Sequence, residues 1–92
     1  MIRTFKCRHT KTLFEGQCPK KWLSIKKQAE RRLQLLDSAT QLDDLRKLPS
    51  NRFEALIGNR KGQYSIRVNI QWRLCFTWEN DEATNVEIID YH

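Results

Sequence analysis

Asp90, Tyr91 and His92 follow directly on the apolar pair Ile88 and Ile89, so a hydrophobic strand runs into three side chains that handle protons. Histidine exchanges a proton near neutral pH, and a neighbouring carboxylate or phenol can orient or supply one. Arg67 and Arg73 lie upstream, in a segment whose apolar residues recur at every second position. Alternation places both arginines on the sheet side away from Trp72, Leu74 and Phe76. If their strands pair as a hairpin, two guanidiniums face one another and need an anion, such as Glu87 or a bound phosphate. A structural salt bridge meets that need, and so does a substrate. A sheet that also holds Arg73 near Tyr91 and His92 carries the parts for phosphodiester cleavage without a metal. These are a base for the ribose 2′-hydroxyl, a cation for the crowded phosphorane and an acid for the leaving 5′-oxygen.

Other chemistries find less support. Cys7, Arg8 and His9 with Cys18 or Cys75 match no zinc spacing, and buried structural cysteines are the expected outcome, so no metal and no cofactor are expected. The stretch "GNRKG" lacks the pattern of a phosphate-binding loop and reads as a turn, with Arg60 and Lys61 solvated.

The elements that must position these groups divide into a helical half and a sheet half. "IRTF" reads as a short first strand and "TKTLFE" as a turn or two of helix before Gly16. Pro19 suits the first turn of a long helix over residues 19–38, whose Trp22, Ile25, Ala29, Leu33 and Leu36 recur at three- and four-residue steps. Lys20, Lys27 and Arg31 then fall on its opposite face. "QLDDLRKLP" reads as a shorter helix ended by Pro49. Beyond Pro49 the period changes to two. "RFEALIG" is expected to be a strand; Tyr64 to Ile70 and Trp72 to Trp78 form a hairpin with a tight turn at Asn69–Gln71, each strand with one buried and one polar face. "ENDEA" turns into a last strand, "TNVEIIDY". Helices first and antiparallel strands after predict an α+β domain over residues 1–92, its N-terminal helices packed on one face of a mainly antiparallel sheet.

Ninety-two residues allow one modest core. The opening "MIRTFKCRHTK" has no long apolar run, so neither a secretory leader nor a membrane span is expected. Three irregularly spaced cysteines argue for a reducing cytoplasm. The net charge of +6 is unevenly placed. Residues 1–36 carry ten Lys/Arg against Glu15 and Glu30, while residues 37–92 carry seven against nine Asp/Glu. A basic N-terminal third suits a polyanion, which in the cytosol means nucleic acid or the ribosome.

The stretch "LIGNRKGQYSIRVNIQWRLCFTWENDEATNVEIIDYH" resembles the C-terminal half of the HigB toxins, a branch of the RelE/ParE superfamily of bacterial toxin–antitoxin systems. The shared pattern is L-x-G-[DN]-R-x-G-x-x-S-I-x-V-x-x-x-W-R followed by D-Y-H. "MIRTFKC", Leu13–Phe14 and "LDSATQLDDL" extend the likeness over nearly the whole chain. The resemblance implies a RelE-like fold and a metal-independent ribonuclease that cuts messenger RNA in the ribosomal A site. It implies restraint by a HigA-like helix-turn-helix antitoxin, which alone touches operator DNA. Carried over by position, His92 is a proton-transfer residue, Asp90 an orienting group, Tyr91 a base-stacking or hydrogen-bonding group and Arg73 the stabiliser of transition-state charge. Gln71 matches an amide that contacts RNA. Glu54 and Ile57 stand where some members have His and Lys, which implies a weaker or differently tuned nuclease. Glu54 serves there either as base or as salt-bridge partner to a nearby arginine. Two other classes remain compatible with the residues: a non-catalytic ParE-like inhibitor of DNA gyrase, and a basic RNA-binding module.

Overall fold

A computed structural model describes residues 1–90; Tyr91 and His92 lie outside the described residues. Helix α1 spans Arg8–Phe14, α2 Lys26–Ser38 and α3 Leu42–Arg46. Strands β1 (Glu54–Ala55), β2 (Tyr64–Arg67), β3 (Trp72–Glu79) and β4 (Glu82–Asp90) form one antiparallel sheet in the order β1-β2-β3-β4. The α+β expectation is borne out.

The helical layer is built on the residues that the three- and four-step spacing singles out. Trp22, Ile25, Ala29, Leu33 and Leu36 are all buried. They pack with Leu13 and Leu45 against one sheet face, which contributes Ile66, Leu74, Phe76, Val86 and Ile88. Burying a side chain such as Leu33 stabilises the fold by about 1.5–3 kcal/mol. Trp22 meets Trp72 edge to face at 6.1 Å. The Ile88 amide donates to the Thr10 hydroxyl at 3.0 Å, fastening α1 to β4 through a wholly buried threonine.

The long helix expected over residues 19–38 is two elements. Residues Lys20–Ile25 form a 3₁₀ turn, begun by the Trp22 amide donating to the Pro19 carbonyl at 3.0 Å, and the α-helix starts at Lys26. Lys20 is therefore not in helical phase with Lys27 and Arg31, although all three are exposed. Ile25, at φ −114° and ψ 10°, is the break between the two geometries.

Three expected strands are shorter than their patterns. "IRTF" forms two isolated parallel bridges, Ile2 to Ala83 and Phe5 to Val86, which cover the outer edge of β4 without making a full strand. "RFEALIG" keeps two strand residues, because Arg52 before them is left-handed at φ 46°. The strand through Ile70 ends at Arg67: Asn69 Oδ1 accepts the amides of Gln71 at 2.8 Å and Trp72 at 2.7 Å, which closes the turn and leaves Ile70 86% exposed. An Asn side chain that mimics a turn in this way outcompetes the β propensity of one isoleucine. The β3–β4 turn follows expectation, with Asn80 at φ 52° and Asp81 at φ 63° supplying the two positive φ values of a tight hairpin.

The sheet's second face departs most from expectation. Arg73, Leu74, Cys75 and Phe76 are all buried, so β3 is covered on both sides rather than polar and open on one.

Candidate active site

Register fixes which residues share the face away from the helices. Arg73 lies opposite Arg67 on β2 and opposite Ile89 on β4; Cys75 lies opposite Ser65 and Glu87, and Glu54 opposite Ser65. Period-two geometry therefore puts Glu54, Ser65, Arg67, Arg73, Cys75 and Glu87 on one side. The pairing of Arg67 with Arg73 inferred from alternation is present.

Arg73 is the centre of that face, 6% exposed and tied at every nitrogen. Its Nε donates to Ser65 Oγ at 2.8 Å, and Nη2 donates to the Arg52 carbonyl at 2.5 Å, with the Ser65 carbonyl 3.5 Å away. Nη1 stands 3.8 Å from Glu54 Oε1. A guanidinium so enclosed needs its charge and its donors satisfied, and the planar fork does this with groups from β1, β2 and the loop before β1. Among the described residues the anion beside Arg73 is Glu54, while Glu87 pairs with Arg60 at 3.4 Å and with Lys6 at 3.5 Å. Arg60, expected in a solvated turn, is half-buried and also donates to Gln63 at 3.0 Å.

Burial pushes the Cys75 thiol up to about 11; Arg60 and Arg73 oppose the rise, while Glu87 and Glu54 add to it. The thiol therefore stays protonated and is a packing group rather than a nucleophile. Beyond Glu54 the surface opens into a hollow of about 320 Å³ lined by Glu54, Ala55, Leu56, Ile57 and Arg60. Ile57 is 87% exposed there.

The remaining expected residues fall in separate places. Asp90 is paired in register with Trp72, one position along from the partner of Arg73, so alternation directs it toward the opposite sheet side at the strand's end. There its Oδ2 accepts from Gln71 Nε2 at 3.1 Å. Arg67 is half-buried and Gln71 exposed. Lys20, Lys27 and Arg31 belong to the helical layer, away from this sheet face. The roles expected of Tyr91 and His92 fall on residues outside the described part. Among the described residues, no group of three His, Cys, Asp or Glu side chains is arranged to hold a metal, and no helix is long and apolar enough to cross a membrane.

Two contributors to this face were not picked out from sequence. Ser65 was legible in principle, since it shares parity with Arg67 and Arg73 and is a small hydroxyl in a strand of otherwise larger residues. The Arg52 carbonyl is a backbone atom aimed by a left-handed residue, and no side-chain pattern reports it.

The family model for the HigB RelE-like toxins of type II toxin–antitoxin systems matches residues 4–92. Toxin HigB-1 of Vibrio cholerae is 52% identical over 62 residues, which cover 67% of this chain and 65% of that protein, slightly under two thirds of its length. Endoribonuclease HigB of Proteus vulgaris is 33% identical over 93 residues, spanning both chains in full. The solved YoeB-YefM complex from Staphylococcus aureus contains a chain with the same fold, at TM-score 0.62 and 19% identity, covering 100% of this chain and 98% of that one. The order of helices before a four-stranded antiparallel sheet, the buried Arg73 on its far face and a family match over nearly every residue agree, and the chain belongs to the HigB-like family of RelE-like toxins.

Proposed function

We propose that this protein is the toxin of a type II toxin–antitoxin pair and acts as an endoribonuclease, cutting messenger RNA in the ribosomal A site without a metal ion. The observation that carries the reading is the clamped guanidinium of Arg73, a fixed positive charge with little freedom to reorganise, on the sheet face away from the helices. A preorganised cation of this kind is worth most where charge develops during reaction.

In the proposed reaction the ribose 2′-hydroxyl attacks the adjacent phosphorus and the bond to the 5′-oxygen breaks, leaving a 2′,3′-cyclic phosphate and a free 5′-hydroxyl. One proton leaves the 2′-oxygen and one reaches the 5′-oxygen. Arg73 stabilises the charge that gathers on the phosphorane oxygens. His92 transfers a proton, with Asp90, held by Gln71 at the end of β4, orienting the chain end that follows it, and Tyr91 stacking on a base or donating a hydrogen bond. Glu54, beside Arg73 and 48% exposed at its side chain, can hold the guanidinium or accept the 2′-proton. Arg67 and Gln71 contact the RNA near the cut, and the exposed Lys20, Lys27 and Arg31 dock on ribosomal RNA.

The partner in this reading is a HigA-like helix-turn-helix antitoxin; the solved neighbour's own pairing with YefM supports an antitoxin of some kind. The test uses purified protein with a defined messenger, alone and on translating ribosomes. Cleavage at codon-phased positions only on the ribosome is the expected result. Inhibition of DNA gyrase with intact messenger would move the protein to the ParE-like class.

A further inference from the structure

Behind the turn that contacts Arg73 lies a buried amide whose described hydrogen bonds go elsewhere. Asn51 is wholly buried at the end of a 3₁₀ turn, Pro49–Asn51. Its Oδ1 accepts from Arg32 Nη1 at 2.6 Å, and its Nδ2 donates to the Leu45 carbonyl at 3.0 Å. The two contacts fix the amide's orientation, since a guanidinium only donates and a carbonyl only accepts. Arg32 also reaches the Ser50 carbonyl at 3.4 Å. Asn51 is thus held between α2 and the last turn of α3.

The next residue is the left-handed Arg52, at φ 46° and ψ 51°. A residue with a Cβ pays about 1–2 kcal/mol for that conformation and keeps it only where its surroundings enforce it. The conformation turns the Arg52 carbonyl onto Arg73 Nη2 at 2.5 Å, and two residues on, Glu54 meets Nη1. The loop therefore grips Arg73 at two points, and its root is Asn51.

We propose that Asn51 is a positioning residue for Arg73: anchored by Arg32 and Leu45, it forces the turn at Arg52 that aims a backbone carbonyl at the guanidinium. The proposal rests on the reading of Arg73 as the charge stabiliser. It adds that the helical layer sets the geometry of the cleavage face through one buried amide.

A double-mutant cycle tests it. Wild type, Asn51→Ala, Arg73→Ala and the double variant are purified, their thermal midpoints recorded, and single-turnover cleavage of a messenger on programmed ribosomes followed against toxin concentration. Asn51→Ala is expected to lower the maximal rate about 10- to 100-fold, as misplacing a catalytic group by an ångström does, with half-saturation unchanged within about two-fold. The double variant is expected to be no slower than Arg73→Ala, within about two-fold. Losses that multiply instead show that Asn51 acts independently of Arg73 and overturn the proposal. Full activity in Arg73→Ala is a different result: it removes the role of Arg73 itself. Arg32→Met, which keeps the aliphatic stem but removes the donor to Asn51, repeats the cycle if Asn51→Ala does not fold. It is expected to lose rate in the wild-type background and none in Arg73→Ala, and multiplying losses there overturn the proposal equally.

Discussion

Arg73→Lys keeps the charge and removes the fork, and so separates the two things Arg73 provides. Among the described residues the guanidinium's three nitrogens meet Ser65 Oγ at 2.8 Å, the Arg52 carbonyl at 2.5 Å and Glu54 at 3.8 Å. An ammonium has one nitrogen on a flexible stem and cannot span groups spread around the edge of a plane. The Arg52 carbonyl, on an exposed residue, can accept from water instead; the Ser65 hydroxyl is wholly buried and cannot. Losing one charge-assisted bond and orphaning one buried hydroxyl gives a destabilisation of about 2–3 kcal/mol. For a chain of this size that lowers the melting midpoint by about 10–20 °C. Cleavage is expected to fall about 100-fold even at temperatures where the variant is folded, because the charge remains but sits about an ångström away. Urea denaturation gives the first number and single-turnover cleavage on programmed ribosomes the second. A variant within about 0.5 kcal/mol of wild type that cleaves at the wild-type rate would refute the reasoning. A point charge would then suffice, and the three-point clamp would be incidental.

Cys75 gives a pH prediction. Its folded-state value is raised from 9.0 to about 11 by burial, so the unfolded chain releases the thiol proton first as pH rises. Above pH 9 the unfolded state binds fewer protons and stability falls by about 1.4 kcal/mol per unit until about pH 11. Cys75→Ala should show a shallower alkaline fall in urea titrations, and an identical slope would contradict the assignment. Lys27 and Arg31 give a salt prediction: both are exposed on α2, so Lys27→Gln with Arg31→Gln should leave the stability within about 0.5 kcal/mol of wild type. The slope of ribosome binding against log salt should fall by up to about two; an unchanged slope would mean that another surface meets the RNA.

Much of this arrangement is legible in the sequence because it depends on side-chain period. The apolar residues at three- and four-step spacing in α2 are the buried ones, and the alternation after Pro49 places Arg67 across from Arg73. Glu54 comes from the family resemblance, with base and salt-bridge partner both open; its register with Ser65 puts it on the face of Arg73, where it meets the guanidinium. Period does not report backbone geometry. The 3₁₀ turn over Lys20–Ile25, the left-handed Arg52 and the two-residue β1 all arise where local hydrogen bonds decide between conformations that the same residues tolerate. Nor does it report what covers a face. Glu87 is a suitable counter-ion for Arg73 by parity, but Arg60 and Lys6 from distant segments reach it and leave Arg73 to Glu54. Asp90 shows the limit most sharply: strand order and the family resemblance put the end of the chain near Arg73, while register and alternation direct Asp90 to the side of Trp72 and to Gln71.

The central claim is that Arg73 on the far face of the sheet drives messenger cleavage. The most direct measurement is a transcriptome-wide map of messenger 5′ ends in cells expressing wild type or Arg73→Ala at equal protein levels. The account predicts discrete new ends within coding regions, in phase with codons, for wild type and their loss for Arg73→Ala. The same ends persisting in Arg73→Ala, or none forming with a growth-inhibiting wild type, would contradict it.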